Sequence, residues 1–356
     1  MRILIDIGHP AHVHYFRNFI KLMQQKGHEF LISSRDKEVS HILLEKYGIP
    51  YFNRGKGSKS LPGKLVYLIK TDFLLLRESL KFKPDIFLSF GSPYAAHVAK
   101  IICRPHISLT DTDEARLGIM AFAPFTKTIL TPKPFEKDFK EKHIRFAGFM
   151  ELCYLHSNYY KPDENIFSEL GLKSNEKFVL LRFVSFNATH DIGASGLDMQ
   201  TKFNIIQSLS NNYKVFISSE SVVPDKLKPY QLKLSPEKIF DVMAYASLYI
   251  GEGATMASEC AMLGTPAIYV NSLSAGTIED QESQGLLYSF RDSKGVLDKA
   301  FELLNNSNLK EEFQARRKKM LSSKIDVTSF LVWFVENYPK SINVMKETPE
   351  YQYTFK

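Results

Sequence analysis

The first half of the chain alternates short apolar runs with longer segments in which apolar residues recur every three or four positions. The runs predict buried strands at residues 2–7, 29–33, close to 51, 86–89, 107–109 and 128–130, and the periodic segments predict helices at 13–23, 39–47, 61–81 and 94–102. Strands that alternate with helices build a parallel sheet with right-handed crossovers. We therefore expect one doubly wound α/β domain in this half.

The same alternation returns in the second half, after a segment at residues 132–162 in which the periodicity weakens. Strands are predicted at 178–182, 215–218, 232–234, 248–250 and 267–270, one helix is predicted to begin at Ser235 and Pro236, and closing helices are predicted at 297–304, 309–321 and 330–335. The fold class is therefore α/β, with two doubly wound Rossmann-like domains facing across a cleft. We assign residues 1–155 to the first domain, 156–325 to the second and 326–356 to a C-terminal helix.

One unbroken stretch, IGEGATMASECAMLGTPAIYV at residues 250–270, contains a strand end, a glycine turn, a helix and a second strand. Gly251 and Gly253 are predicted to let the chain turn sharply, and Gly264 is predicted to end the helix. A turn of this kind points backbone N–H groups and the positive end of the helix dipole at whatever lies above the sheet. The candidate ligand-binding residues in the turn are Gly251, Gly253, Ala254 and Thr255.

Glu259 lies on the same predicted helix among small and apolar neighbours. A carboxylate is costly in such surroundings unless it accepts hydrogen bonds, and the paired hydroxyls of a ribose would donate them. A half-exposed helix glutamate without a binding role is the alternative interpretation.

Residues 251–270 resemble the nucleotide-binding segment of the glycosyltransferase-B fold, as in the UDP-N-acetylglucosamine transferase that makes lipid II and in the non-hydrolysing UDP-N-acetylglucosamine 2-epimerases. The whole chain resembles an uncharacterised prokaryotic family related to both, through DIGHPAHVHYFRN near the N-terminus and RFVSFNATHDIG later in the sequence. The resemblance implies the glycosyltransferase-B fold, in which the final helix, here within 326–356, packs back on the first domain. It also implies that Glu259 binds the ribose hydroxyls.

Length and composition fit two soluble domains, because 356 residues with 44% hydrophobic and 24% charged content can bury two cores. No apolar run reaches the length of a membrane helix, and the start, MRILIDIGHP, is unlike a signal peptide. Cys103, Cys153 and Cys260 are odd in number and far apart, which argues against a disulfide framework. We expect a cytoplasmic protein.

The net charge of +7 could attract nucleic acid, anionic lipid or an anionic small substrate. Nucleic acid is not expected as a partner, because the basic residues are not interleaved with aromatic ones in the way such a groove requires. The predicted helix at residues 61–81 is amphipathic, and we assign its apolar face to the core, with peripheral contact to a membrane as the alternative.

Three histidines, His9, His12 and His14, fall within six residues in the loop that follows the first predicted strand. Imidazoles this close could bind zinc, one of them could accept a proton near neutral pH, or His9 and His14 could cap or orient the loop. In the lipid II transferase a histidine in a similar loop is proposed to deprotonate the acceptor hydroxyl, so the resemblance implies His12 as the acceptor base. Gly8, His9 and His14 are candidate binding residues, and His9-Pro10 stands where that family has glycines.

The stretch RFVSFNATHDIGASG at residues 182–196 is polar and contains glycine where the second domain's first strand ends. An arginine and a histidine there could neutralise a diphosphate and the negative charge that grows on a leaving nucleotide, without a metal. The 2-epimerases carry a histidine in the comparable loop, so the resemblance implies His190 as a second catalytic candidate, with a surface histidine in a turn as the alternative. The binding candidates in this stretch are Arg182, Ser185, Asn187 and Asp191.

Further candidates follow two other strand predictions of the second domain. Glu220 comes after the strand at 215–218 and could flank the base of the nucleotide. Asp280 and Gln281 resemble the acidic-amide segment that contacts the donor sugar in the transferases.

The first domain adds a group of acids, Asp111, Asp113 and Glu114, after the strand at 107–109. They could act as a base or a hydrogen-bond partner for an acceptor, or one of them could cap a helix. The 2-epimerases place an acid close to here, but the aspartate that they carry after the preceding strand is Ser92 in this chain, which weighs against an epimerase.

Together these residues predict a metal-independent glycosyltransferase whose donor is a nucleotide sugar, UDP-linked by resemblance, with Glu259 on the ribose, residues 185–193 on the diphosphate and His12 as the acceptor base. No cofactor is expected besides this substrate. The expected acceptor is the hydroxyl of a saccharide or lipid-linked saccharide, in cell-surface polysaccharide biosynthesis. The alternatives are an epimerase or hydrolase of the same ligand, with His190 and the acids at 111–114 moving protons, and a non-catalytic nucleotide-sugar-binding protein.

Overall fold

The computed structural model describes residues 1–58, 60–184, 196–219, 222–273 and 275–356, without the side chain of Leu61. The strands are β1 (Arg2–Ile7), β2 (Glu29–Ser34), β3 (Phe52–Asn53), β4 (Ile86–Phe90), β5 (His106–Leu109), β6 (Thr128–Pro132), β7 (His143–Phe146), β8 (Phe178–Phe183), β9 (Lys214–Ser219), β10 (Leu248–Gly251), β11 (Ala267–Val270) and β12 (Tyr288–Phe290).

The helices are α1 (Pro10–Gln25), α2 (Ser40–Lys46), α3 (Leu61–Phe82), α4 (Pro93–Ile101), α5 (Arg116–Phe122), α6 (Leu152–Leu155), α7 (Ile166–Glu169), α8 (Met199–Ser210), α9 (Ile239–Tyr245), α10 (Ala254–Leu263), α11 (Gly276–Ser283), α12 (Val296–Leu304), α13 (Leu309–Ser322), α14 (Val327–Glu336) and α15 (Lys340–Glu347).

The chain forms two compact units. The first unit comprises Met1–Tyr154 together with Lys324–Lys356, and the second comprises Leu155–Ser323. Each unit has its own parallel sheet with flanking helices, in the order β3-β2-β1-β4-β5-β6-β7 in the first and β12-β11-β10-β8-β9 in the second. The predicted α/β class with two Rossmann-like sheets is confirmed.

The first sheet is buried on both faces, as an all-parallel sheet must be when helices cover both sides. Ile3, Leu4 and Ile5 of β1 are fully buried, and the pattern shows no alternation. Helices α3, α4 and α5 pack next to one another, while α1 packs against α2 and α14. Right-handed crossovers that run from β1 to β2 in one direction along the sheet and from β4 to β5 in the other account for this division between its two faces.

The C-terminal segment is built into the first unit by hydrogen bonds to backbone groups of Ala147 and Cys153. The N–H of Ile325 donates to the carbonyl of Ala147 at 2.9 Å, and the N–H of Ala147 donates to the buried side-chain oxygen of Gln352 at 2.6 Å. The hydroxyl of Thr328 donates to the carbonyl of Cys153 at 2.8 Å. These bonds fix the start of α14 against the strand end at β7.

In the second unit, α10 lies between β10 and β11 and is covered by α9, α11 and α13. It ends as predicted at Gly264, whose φ of 71° lies in the left-handed region that favours glycine. The amide nitrogen of Gln314 on α13 donates to the carbonyl of Leu263 at 2.8 Å, so the last turn of the helix has a side-chain partner.

Several element predictions are wrong. The predicted strand at 232–234 is absent. The chain follows a 3-10 turn at Asp225–Tyr230 and then forms one isolated β-bridge, between Ile217 and Gln231. Prolines on both sides of this segment lack the N–H that a longer ladder would need. Strands β7 and β12 also lack a predicted counterpart: each is only a few residues long, and β7 lies in the segment at 132–162 where the periodicity weakens. Helices α5, α6, α7, α8, α11 and α15 lack a predicted counterpart.

The apolar face of α3 is a second correction. Its inner side is buried at Thr71, Leu75 and Ser79, but large apolar side chains also cover its outer side and are exposed to solvent. The prediction that the whole apolar face belongs to the core is therefore wrong. Among the described residues, no helix is both long and apolar enough to cross a membrane.

Gly148 offers a test of how the C-terminal segment packs on the first unit. A β-carbon at Gly148 would lie 2.4 Å from Cγ2 of Val327 in the first turn of α14. We predict that Gly148→Ala lowers the free energy of unfolding by about 1–3 kcal/mol, because a methyl group inserted into a packed contact forces its neighbours apart. Urea unfolding of the purified protein measures the change.

Gly118→Ala in α5 is the matched control. The nearest atom to a β-carbon there is Cβ of Ala115 at 3.8 Å, so the same methyl group meets only ordinary contacts. Alanine in a helix should leave stability unchanged or raise it by up to about 1 kcal/mol. Equal destabilisation by the two variants would contradict the described packing of α14.

Candidate functional site

In a parallel α/β sheet the groups available to a ligand lie at the carboxyl ends of the strands. In the first unit this edge is formed by the residues that follow β1, β2, β4 and β5. In the second unit it is formed by the residues that follow β8, β10 and β11.

A buried ion pair organises the edge of the first unit. Asp6, near the end of β1, is fully buried and accepts hydrogen bonds from the hydroxyls of Ser33 and of Ser92, the latter at 2.5 Å. Nε of Arg54 lies 2.9 Å from Oδ1 of Asp6, and Nη2 of Arg54 donates to Oδ2 at 3.3 Å. The carboxylate thus joins the ends of β1, β2 and β4 with the residue after β3.

Arg54 is a residue that the sequence pattern missed. It lies in NRGKGSKS, a segment too polar to predict packing, yet only 4% of the residue is exposed. Its guanidinium stacks on the ring of Tyr94 at 4.7 Å from the centroid and donates to the hydroxyl of Tyr67 at 2.7 Å. The sequence does contain one signal for Arg54: Asp6 is an acid inside a predicted buried strand, and a buried carboxylate needs a basic partner.

His9 and His12 both bind the start of α1. Nδ1 of His9 accepts a hydrogen bond from the backbone N–H of Ala11 at 3.2 Å, so His9 caps the helix. Nδ1 of His12 accepts a hydrogen bond from the N–H of Gly8 at 3.2 Å. The ring of His12 also lies 4.9 Å from that of Phe90 at the end of β4.

The hydrogen bond from Gly8 decides the tautomer of His12. An imidazole that accepts at Nδ1 carries its proton on Nε2 when it is neutral. Burial, together with the positive charges of Lys37 and Arg54, lowers the pKa of His12 to about 3, so the ring is neutral at pH 7. In this arrangement His12 offers an N–H to a ligand, and accepting a proton there requires a change of tautomer.

His14 lies on a different side of α1, since residues two apart on a helix do not share a face. Its Nδ1 is 3.4 Å from the hydroxyl of Tyr47, and its ring packs 5.3 Å from that of Tyr154. Burial and the charge of Arg17 lower the pKa of His14. The three histidines therefore do not converge, and the described part of the chain contains no group of three histidine, cysteine or acidic side chains that could hold a metal ion.

Asp111 is the acid at this edge whose properties suit proton transfer. It follows β5, is half-buried, and accepts a hydrogen bond from the hydroxyl of Thr112 at 3.0 Å. Burial and the neighbouring charge of Asp113 raise the pKa of Asp111 to about 6. Asp113 has a structural contact instead, since its Oδ1 accepts the N–H of Glu136 at 3.0 Å.

The edge of the second unit centres on the turn between β10 and α10. The chain turns from β10 into α10 within Gly251 to Ala254, and neither glycine of the turn has a positive φ. The requirement is space: a β-carbon at Gly251 would lie 2.2 Å from the hydroxyl of Tyr249 and 2.9 Å from Cβ of Arg182. Glycine lets the ring of Tyr249 lie along the strand, with its hydroxyl at the edge.

The first turn of α10 is open to a ligand. Ala254 and Thr255 are partly exposed, and no side-chain hydrogen bond caps the start of this helix among the residues described. Its first N–H groups and the positive end of its dipole are therefore oriented toward the edge of the sheet.

Glu259 lies farther along α10 and is buried, with 4% of the residue exposed. Burial raises the pKa of Cys260, and the negative charge of Glu259 adds to it; burial likewise raises the pKa of Tyr249, with smaller additions from Cys260 and Glu259. The hydroxyl of Tyr249 is fully buried and has no hydrogen-bond partner among the described residues. Glu259 lies in the second turn of α10 and is more buried than the half-exposed helix residue of the alternative interpretation.

Glu252 is a second carboxylate of the turn and was not predicted. It is 1% exposed, and its two oxygens accept the N–H of Val184 at 3.0 Å and the N–H of Leu197 at 2.7 Å. Lys202 on α8 forms an ion pair with it at 3.0 Å. Val184 and Leu197 flank residues 185–195 in the sequence, so Glu252 ties both ends of that segment to the turn.

The remaining predicted residues have varied positions. Arg182 donates from Nη1 to the hydroxyl of Ser218 at 2.8 Å and stays half-buried at the end of β8. Gln281 is fully buried and donates to the hydroxyl of Ser258 at 2.6 Å, which packs α11 on α10. Asp280 is partly exposed and accepts from the side chain of Gln284 at 2.9 Å. Ser185, Asn187, His190, Asp191 and Glu220 lie outside the described residues.

The two glycines of the turn provide a matched pair of variants. We predict that Gly251→Ala lowers the free energy of unfolding by about 1–3 kcal/mol, because the new methyl group overlaps the buried ring of Tyr249. Gly253→Ala places a methyl group 3.3 Å from Cγ1 of Val184, which needs only a small shift, so its effect should be below that of Gly251→Ala. Urea unfolding curves that rank the two variants in the reverse order would contradict this geometry.

Solved structures of the same architecture cover nearly all of the chain. The S. aureus MnaA structure with UDP has a TM-score of 0.69 and 13% identity, and covers 96% of this chain and 98% of its own. The UDP-GlcNAc 2-epimerase from Neisseria meningitidis bound to UDP-GlcNAc has a TM-score of 0.64 and 12% identity, and the match covers 95% of this chain and 100% of the epimerase chain. The Streptomyces sp. SF2575 glycosyltransferase SsfS6 has a TM-score of 0.59 and 14% identity, and the match covers 95% of this chain and 100% of the SsfS6 chain. This chain therefore has the fold of glycosyltransferase-B proteins and UDP-GlcNAc 2-epimerases.

A relative in Methanocaldococcus jannaschii, described as uncharacterized protein MJ0665, is 24% identical over 277 residues, which are 75% of this chain and 80% of that protein. A family model described as "Protein of unknown function (DUF354)" matches residues 1–340. Because the match covers almost the whole chain, this protein belongs to that family.

Proposed function

We propose that the protein is a glycosyltransferase that binds a UDP-linked sugar on its second unit and transfers the sugar to an acceptor hydroxyl without a metal ion. The observation that carries the proposal is the turn between β10 and α10, which combines an uncapped helix start with a buried acid, Glu259, on the same helix. Solved structures of this fold are described with UDP or UDP-GlcNAc bound, which supports a nucleotide sugar as the ligand.

The donor would lie along the carboxyl edge of the second sheet. The carboxylate of Glu259 would accept hydrogen bonds from the ribose hydroxyls. The N–H groups of Ala254 and Thr255 would meet the diphosphate, together with Arg182 and with His190, which the family resemblance implies. Ser185, Asn187 and Asp191 are further candidates from the polar stretch around His190. Cationic and N–H donors held in place before the reaction stabilise the negative charge on the leaving UDP, which is the task that a metal ion performs elsewhere. Asp280 at the start of α11 is the candidate for the sugar hydroxyls.

On the first unit, two groups are candidates for moving the acceptor's proton. His12, the base predicted from the sequence, has a lowered pKa of about 3 and a proton on Nε2, whereas Asp111 has a pKa raised to about 6. A general base works best with a pKa close to the working pH. We assign the base role to Asp111 and a hydrogen-bond donor role to His12. Asp111 follows β5 and His12 follows β1, and these two strands are separated in the sheet by β4 alone, so their axes are about 10 Å apart.

An epimerase or hydrolase of the same ligand is the second candidate, and the raised pKa of Asp111 favours it equally, because a carboxyl that titrates near neutrality can give or take a proton at the sugar. Incubation with UDP-N-acetylglucosamine alone separates the reactions. A transferase leaves the substrate intact until an acceptor saccharide or lipid-linked saccharide is added, while an epimerase or hydrolase converts it without one.

Glu259→Gln tests the ribose contact. We predict that this variant weakens UDP binding about 10- to 100-fold in isothermal titration calorimetry, because a neutral amide replaces a charged acceptor of two hydrogen bonds. With 2′,3′-dideoxy-UDP, which lacks both hydroxyls, wild type and variant should bind equally. Glu302→Gln, on the exposed side of α12, is the matched control and should leave UDP binding unchanged.

If Glu259→Gln weakened the binding of UDP and of its dideoxy analogue equally, Glu259 would not contact the ribose hydroxyls and would act on folding or on another part of the site. Absence of UDP binding by the folded wild type would remove the proposed donor altogether.

The pH dependence of kcat/KM distinguishes the two proton-transfer candidates. A base must be deprotonated to act, so with Asp111 as the base we predict that kcat/KM falls as the pH drops through about 6. Asp111→Asn should lower kcat by about 10²- to 10⁴-fold and remove this limb. A profile that stays flat between pH 5 and 8 in the wild type would instead assign the base role to a group with a much lower pKa, such as His12.

A further inference from the structure

The outer side of α3 exposes large apolar side chains. Leu65, Val66, Ile69, Phe73 and Leu80 are each between 59% and 69% exposed. With 100° of rotation per residue, these five side chains fall within an arc of about 100° on the helix, opposite its buried side. Scattered apolar residues on a surface are ordinary, but five on one helical stripe form a continuous patch.

A second exposed group extends this patch from the neighbouring helix. Leu117 and Met120 of α5 are 68% and 70% exposed, and Phe125 follows them. His97 on α4 joins the two groups: its Nδ1 lies 2.9 Å from Oδ2 of Asp72 on α3, and its Nε2 lies 3.2 Å from the carbonyl of Ala121 on α5. We call Leu65, Val66, Ile69, Phe73, Leu80, Leu117, Met120 and Phe125 the outer apolar surface.

Cations border the outer apolar surface. On the helical projection, Lys70, Arg77 and Lys81 lie along one flank of the α3 stripe. Arg77 and Lys81 share the single acid Glu78, at 2.8 Å and 3.1 Å. Lys70 and Arg116 are exposed and have no acidic partner in the part of the chain that the structure describes. The rim therefore carries a surplus of positive charge.

We infer that the outer apolar surface docks the first unit on an anionic lipid surface. A helix lying in the membrane interface needs an apolar stripe that enters the acyl boundary and cations beside it that meet anionic headgroups, and α3 has both. A second copy of this chain would place the rim cations against one another, and a neutral protein partner would leave them unpaired, so an anionic lipid surface fits this surface best.

The position of the surface adds a consequence for the substrate. The first turns of α3 and α5 follow β3 and β5, so they begin at the same edge of the sheet as Arg54 and Asp111. Docking there would hold this edge close to the headgroups. The inference itself does not depend on the proposed reaction, because vesicle binding is measured without any substrate.

Vesicle co-sedimentation of the full chain tests the inference. We expect the wild type to sediment with vesicles of phosphatidylcholine mixed with phosphatidylglycerol and to remain in the supernatant with phosphatidylcholine alone. Ile69→Ser combined with Phe73→Ser should weaken binding by about tenfold or more, because two large apolar side chains no longer leave water. Lys70→Gln and Arg116→Gln should each weaken binding about fivefold and reduce its dependence on salt.

Val222→Ser is the control, since Val222 is 93% exposed but belongs to the second unit, and it should sediment like the wild type. Because all the altered side chains are exposed, thermal unfolding should show native stability for each variant. Three results would overturn the inference: no sedimentation of the wild type with anionic vesicles, sedimentation that the Ile69 and Phe73 substitutions leave unchanged, or a dimer in light scattering that these substitutions dissociate.

Discussion

A single buried carboxylate holds together the polar edge of the second unit. Burying a charge is costly unless each oxygen has donors, and Glu252 has three: the N–H of Val184, the N–H of Leu197 and the ammonium of Lys202. The N–H donors lie on either side of the segment that carries most of the predicted diphosphate ligands, and Glu252 itself precedes α10. Whatever this edge binds therefore depends on the position of one side chain that need not touch the ligand.

The first unit uses the same device with different residues. Asp6 lies two positions before Gly8, is fully buried, and collects two serine hydroxyls and the guanidinium of Arg54 from other strands. In both units an acid at a strand end fixes the loops around it. In the second unit the neighbouring Gly251 also leaves room for the ring of Tyr249. The shared physical requirement is that polar loops at the edge of a parallel sheet need a buried acceptor to hold them.

Sequence reasoning succeeded where local pattern determines structure. The strands and helices with strong periodicity, the helix end at Gly264 and the placement of Glu259 on α10 all follow from spacing within a short window. It failed where the partner is distant. Arg54 looked like a loop residue because Asp6 is 48 positions away. Glu252 looked like a turn residue because its donors are Val184 after β8, Leu197 before α8 and Lys202 on α8. The outer stripe of α3 was assigned to the core because periodicity shows that a helix has an apolar face but not whether anything covers it.

The central claim is that the turn between β10 and α10 binds a nucleoside diphosphate through Glu259, and a crystal structure of the protein with UDP tests it most directly. Our account predicts ribose hydroxyls within hydrogen-bond distance of the Glu259 carboxylate and the diphosphate at the N–H groups of Ala254 and Thr255. UDP bound at another place, with Glu259 directed into the core away from the nucleotide, would contradict it.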